Sequence, residues 1–236
     1  SLQSVDYPHS LGLFYAAITA FLGFRVNEGE YKVMGLAAYG TPRYRDEFAK
    51  LLLAKDDGSY KLDLTYFAHH IGVENGFSRK LESLLGPRRP SHRPWDLGTD
   101  EDQHYANVAA TLQLVTEEAM LGLARQAHAL VGSATLCLAG GVALNCVANA
   151  RILSESQFDR IFVQPAAGDA GGALGAALLG AQQLGEGRPK ALSTAALGVD
   201  LDLGRALNVA TEMGLRVRRV DSPADAVTAK LIAKRI

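Results

Sequence analysis

The chain has 236 residues, 48% of them hydrophobic and 21% charged, an ordinary globular composition with apolar material for one large core or two small ones. Its 24 lysines and arginines stand against 25 acidic residues, so no broad electrostatic pull toward nucleic acid or an anionic membrane surface is expected. Cys137 and Cys146 form no C-x-x-C pair and read as reduced thiols of a cytoplasmic protein, with no signal peptide visible.

Leu11, Phe14, Ile18, Phe21 and Leu22 share one face of a helix over residues 11–22, and Gly23 is a natural stop. His9-Ser10, just ahead of it, suits capping better than catalysis. A second helix is expected over 31–38, ending at Gly40 and Pro42. Asp56-Asp57-Gly58-Ser59 reads as a turn beside a strand over 60–66. Residues 86–102, with Pro87, Pro90 and Pro94 among several charges, read as a long surface loop. There Arg88, Arg89 and Arg93 with Trp95 could clamp an anion, but solvated side chains are the preferred reading.

From Tyr105 onward, Val108, Leu112, Val115, Ala119, Leu123, Ala127 and Leu130 recur every three or four residues, the mark of one long amphipathic helix. A strand over 135–139 then breaks at Gly140-Gly141, and a helix begins near Leu144. A strand over 160–164 leads through Pro165-Ala166-Ala167-Gly168 into a helix from Asp169. The apolar stretch 166–184 is rich in glycine and alanine, which suits a tightly packed soluble helix rather than a membrane span. The tail predicts a helix over 203–213, a strand over 215–220 and a helix over 223–234. Ser222 would cap the last, with Pro223 first and Asp225 in its first turn. The alternation implies an α/β fold with a mixed, partly parallel sheet flanked by helices.

The chemistry is expected at the two strand–glycine–helix units. Missing side chains let a ligand approach the backbone, and free amides at a helix start attract phosphates. One exposed helix dipole is worth only about 0.3–1 kcal/mol, so several amides must act together. Gly140 and Gly141, at the turn itself, favour ligand approach; Gly171, Gly172 and Gly175, inside a helix, favour close packing. Asp169 is balanced between capping its helix and holding a metal, and Asn145 between capping and touching a ligand. His69, His70, His92, His104 and His128 lack metal-ligand spacing and read as surface or loop histidines.

Beyond these patterns, Leu11-Gly12-Leu13-Phe14-Tyr15, Gly23-Phe24, the block Asn27-Glu28-Gly29-Glu30-Tyr31-Lys32-Val33-Met34-Gly35-Leu36-Ala37 and Tyr39-Gly40 resemble the O-carbamoyltransferase family of nodulation-factor and antibiotic-modifying enzymes. Ala139-Gly140-Gly141-Val142-Ala143-Leu144-Asn145 and Gly168-Asp169-Ala170-Gly171 match in the same order, so the resemblance spans at least residues 11–184. It implies a ribonuclease-H-like, actin-like ATPase lobe over residues 1–190. A segment over 191–236 would lead toward a carbamoyl-phosphate-handling domain. The implied chemistry is formation of carbamoyl-adenylate from carbamoyl phosphate and ATP, then transfer of the carbamoyl group to a hydroxyl of a small acceptor. By motif matching, Gly140, Gly141, Gly168 and Asn145 would contact the nucleotide, and Glu28, Glu30 and Lys32 would reach its ribose or phosphates. Asp169 would ligate a divalent metal, iron or alternatively magnesium. The family's histidine pair and arginine-rich segment are not in this sequence, so the chain is expected to be an inactive part of a larger enzyme. The rival readings are a sugar-type kinase of the same superfamily and a non-catalytic nucleotide-binding module, because one architecture hosts many reactions.

Overall fold

A computed structural model describes residues 1–55, 58–72, 76–187, 192, 194, 195, 198–200 and 202–233. The chain divides into two units, Ser1–Pro189 and Lys190–Ile236.

The first unit is organised on helices. In α1 (Leu11–Phe21) the Ser10 hydroxyl accepts the Leu13 amide, so capping is indeed its role, and Phe14, Ile18 and Phe21 are fully buried. Helix α2 (Glu30–Ala37) follows, and both pack on α5 (Asp100–Val131). Helix α5 begins five residues before Tyr105, because Thr99 caps it and Asp100, Glu101 and Asp102 occupy its first turn, next to the positive end of the helix dipole. Two short helices escape the apolar pattern: α3 (Arg45–Leu51) and α4 (Arg79–Leu85), each seven residues long with two buried side chains. A stretch that short holds too few repeats of the helical period to register.

Strand β1 (Leu52–Ala54) pairs antiparallel with β2 (Tyr60–Leu62), shorter than the strand expected over 60–66; Asp56 and Asp57 of the turn between them lie outside the described residues. Strand β3 (Thr135–Leu138) pairs in parallel with β4 (Arg160–Val163) across the crossover helix α6 (Cys146–Glu155). The expected single mixed sheet is therefore two separate two-stranded sheets among the described residues. Helix α7 (Ala170–Gln183) buries none of its residues, contrary to the tight packing read from its composition. Only Gly171 obeys that reading: a Cβ there would lie 2.1 Å from the Ala166 carbonyl oxygen, whereas Gly172 and Gly175 face open space.

The loop 86–99 also departs from expectation, since Arg89 is neither solvated nor free for an anion. Its guanidinium is 1% exposed, 3.1 Å from an Asp102 carboxylate that is 2% exposed, and lies 3.5 Å from the Trp95 ring centroid. It also donates to the carbonyls of Arg93 and Pro94, both at 2.9 Å. Gly23 answers this loop: its φ of 79° suits glycine, and a Cβ would stand 2.7 Å from the Arg89 carbonyl oxygen. Of the histidines, His92 is exposed in this loop and His69 and His70 lie in a turn, as expected, whereas His104 and His128 belong to α5. His104 sits in α5 with Nδ1 2.6 Å from the Tyr44 hydroxyl, and burial foremost holds its pKa below the usual imidazole value.

In the second unit, α8 (Leu203–Glu212) is capped by Asp202 and α9 (Pro223–Ile232) by Ser222. Lys234, the expected end of the last helix, lies outside the described residues. The strand expected over 215–220 does not form. A lone extended segment gains no ladder bonds without a neighbour, and this unit provides none among its described residues.

Two glycines near α2 separate space from propensity. A Cβ on Gly40 would lie 2.0 Å from the Ala106 carbonyl oxygen of α5, while Gly35, inside α2, faces nothing within 4 Å. Gly40→Ala is expected to cost about 1–3 kcal/mol through overpacking, and Gly35→Ala to add about 0.5–1 kcal/mol by helix propensity. Urea denaturation of both variants checks this; shifts of the same sign would contradict the packing.

Candidate functional site

The two glycine turns stand side by side at the carboxyl ends of the parallel strands, where open α/β folds bind ligands. After β3 the chain passes Gly140, whose φ of 100° excludes ordinary side chains, into a 3-10 turn over Gly141–Leu144. After β4 the Gln164 side chain accepts the Ala166 amide, shaping the loop that ends in Gly168 and Asp169. A bond from the Gly140 amide to the Ala167 carbonyl, 2.8 Å, ties the turns together. The space beside Gly168 ends 3.8 Å away at Gly141 Cα. The Gly140 amide is thus spent on structure. Yet nothing lies within 4 Å of a Cβ built on Gly140 or Gly141, so the approach to both backbones is clear.

Asn145 caps α6. Its Oδ1 accepts the Ala148 amide at 3.1 Å, and its amide exchanges two bonds of 3.0 Å with Gln113 of α5. Gln113 in turn accepts the Tyr15 hydroxyl at 3.1 Å and donates to Glu117 at 2.7 Å. Sequence reasoning missed Gln113, since a single polar residue beside an apolar stripe carries no periodic signal. Tyr15 is held well above the ordinary phenol pKa, by burial first and then by the charges of Glu30 and Glu117, so it remains a donor.

The Glu28–Ala37 block divides. Glu30 closes its own loop, accepting the Asn27 amide at 3.0 Å and the Gly29 amide at 3.2 Å, and its charge reaches Tyr15. Glu28 is exposed and pairs with Arg25 at 3.2 Å. Lys32 lines a separate hollow of about 220 Å³ with Phe24, Leu36, Tyr39, Trp95 and Leu97. The structure therefore brings together Gly140, Gly141, Gly168, Asp169 and Asn145, with Gln113 and Tyr15 bonded behind Asn145, and leaves Glu28, Glu30 and Lys32 outside that hydrogen-bonded linkage.

Asp169 does not cap its helix: its backbone is already helical and its side chain accepts no capping bond, leaving the carboxylate exposed. Among the described residues no three histidine, cysteine or acidic side chains converge on a possible metal position. One carboxylate is a single ligand where structural and catalytic cations take about four or more, so these residues do not hold a metal by themselves. No described helix is long and apolar enough to cross a membrane.

The sequence model of the carbamoyltransferase N-terminus matches residues 2–178. An uncharacterized protein of Synechocystis is 48% identical over 176 residues, covering 74% of this chain and 28% of that protein. Nodulation protein NolO of Bradyrhizobium diazoefficiens is 39% identical over 191 residues, 80% of this chain and 32% of its own. Nodulation protein NolNO of Sinorhizobium fredii is 36% identical over 200 residues, 84% and 27% respectively. The chain spans about a third or less of the length of these relatives.

Proposed function

Since the chain belongs to the carbamoyltransferase N-terminus family, we propose that it is the nucleotide-gripping part of an ATP-dependent O-carbamoyltransferase, with the architecture of one actin-like ATPase lobe. The observation that carries this reading is the pair of tied glycine turns with unobstructed backbone at Gly140 and Gly141. Backbone amides around Gly141 and Gly168 meet the phosphates, because such groups at helix starts are oriented, uncommitted donors. Asn145 lies beside them, while Glu30, which closes its own loop, would reach the nucleotide from α2. Glu28, on the turn ahead of α2, and Lys32, within α2, reach ribose or phosphate only if that segment is drawn in by the ligand. Asp169 contributes one ligand to a divalent metal, iron or magnesium, whose remaining ligands come from elsewhere in the whole protein.

The whole protein would convert carbamoyl phosphate, ATP and one water into carbamoyl-adenylate with release of phosphate and pyrophosphate, then pass the carbamoyl group to a hydroxyl of a small acceptor with release of AMP. A direct test is pyrophosphate release by the intact protein, expected to require both ATP and carbamoyl phosphate. Release of ADP without carbamoyl phosphate would instead identify a kinase and overturn the proposal. The 236-residue chain alone is expected to release no pyrophosphate, because among its described residues no group of metal ligands converges around Asp169.

A further inference from the structure

The amide of Gln113 is saturated. Its nitrogen donates to Glu117 Oε1 and Asn145 Oδ1, and its oxygen accepts from Asn145 Nδ2 and the Tyr15 hydroxyl. This uses every donor and acceptor site that a carboxamide has. The side chain is 5% exposed, and its partners come from three elements: α1, α5 itself and the cap of α6. Arg151 of α6 reaches Glu117 at 3.4 Å and holds that carboxylate in turn.

The ends of this chain dictate its polarity. Glu117 as a carboxylate can only accept, so the nitrogen of Gln113 must face it. The Ala148 backbone amide can only donate, so the oxygen of Asn145 must face that. Both amides are thereby oriented without ambiguity, and the reciprocal pair between them is the arrangement left. One hydrogen of Asn145 Nδ2 is spent on Gln113. For the other, no bond is recorded among the described residues. Asn145 ends the 3-10 turn that begins at Gly141, the turn with clear backbone.

We infer that Gln113 is a positioning residue of the nucleotide site: it locks the Asn145 amide so that Asn145 offers the bound nucleotide a hydrogen-bond donor, while the Asn145 oxygen keeps the helix cap. Capping and ligand contact, alternatives from the sequence alone, are then served by opposite ends of one amide. The inference rests on the nucleotide reading above and names a residue on α5 that need not touch ligand.

The test is calorimetric titration of the intact protein with ATP, alongside its melting temperature, for Gln113→Glu, Gln113→Leu, Tyr15→Phe and Asn145→Asp. Gln113→Glu keeps the shape but sets a carboxylate against Glu117 and Asn145 Oδ1. Asn145→Asp keeps an oxygen for the cap and removes the donor. Both Gln113 variants are expected to raise the Kd for ATP about tenfold at temperatures where they remain folded, and Asn145→Asp at least as much. Tyr15→Phe, which removes one of the four bonds to Gln113, is expected to raise it about twofold to threefold. In pyrophosphate release, the KM for ATP should rise in the Gln113 variants while kcat at saturating ATP is retained, a split that a merely structural role would not produce. Folded Gln113 variants with unchanged ATP affinity overturn the inference and leave the nucleotide reading standing. A parent protein that binds no ATP overturns the nucleotide reading itself. If the Gln113 variants do not fold, Tyr15→Phe and Asn145→Asp decide, and unchanged affinity in both overturns the inference.

Discussion

Asp102→Asn is expected to cost the chain about 3–5 kcal/mol of stability, the usual penalty for removing one partner of a buried ion pair. Its carboxylate and the Arg89 guanidinium are almost wholly shielded from water, and every group that meets Asp102 is a donor: Arg89 Nε, Arg93 Nη2 and, at 2.7 Å, the Asp96 amide. An asparagine would bring an N–H against one of these donors and leave the Arg89 charge buried without a counterion. Burial alone would raise the Asp102 pKa, but the Asp96 amide and the two guanidinium groups outweigh it and hold the carboxyl below the usual carboxylate range.

The pH dependence follows from that direction. A carboxyl with a folded-state pKa below its unfolded value of about 3.9 stabilises fully above that value, and the contribution disappears as pH falls through the folded pKa. The parent chain should therefore lose stability below about pH 4 more steeply than Asp102→Asn, which has no such group to titrate. Urea denaturation at neutral pH and through the acid range measures both effects. A loss under about 1 kcal/mol at neutral pH, with parallel acid limbs, would mean that the pair is not the clamp on loop 86–99.

Gly141→Val is expected to weaken ATP binding by at least about a hundredfold, through the loss of two or more charge-assisted bonds worth about 1.5–3 kcal/mol each. The same change should leave the melting temperature almost untouched. Nothing lies within 4 Å of the new Cβ, and Gly141 has no left-handed φ to strain. The added methyl groups would occupy the space through which phosphate oxygens approach. Gly171→Ala is the useful contrast: its Cβ would strike the Ala166 carbonyl oxygen at 2.1 Å and destabilise the second turn directly. Titration with ATP and thermal melts of the two variants separate these effects. Parental affinity in Gly141→Val would refute ligand approach over the first turn and, with it, the observation on which the proposed function stands.

Much of the local structure was legible from residue order. The apolar spacing of Leu11 to Leu22 and of Val108 to Ala127, the caps Ser10 and Ser222, and both strand–glycine–helix units depend on neighbours within a few positions, and each forms where it was expected. The family was legible too, because the Glu28 to Ala37 block and the glycine turns are contiguous words in the sequence, and the family match over residues 2–178 bears that out.

What the sequence determined by itself is therefore the set of long helices, the two glycine turns and the family, all written in short-range spacing. Only the tertiary structure decided that Arg89 and Asp102 are buried together, that Asp169 caps nothing, that the strands split into two small sheets, and that Gln113 holds Asn145. Each of those outcomes turns on which distant groups meet. Gln113 lies 98 residues from Tyr15 and 32 from Asn145, and no local period encodes a hydrogen bond across such a span. Burial selects the partner, because a polar group taken out of water must find one wherever the packed chain supplies it.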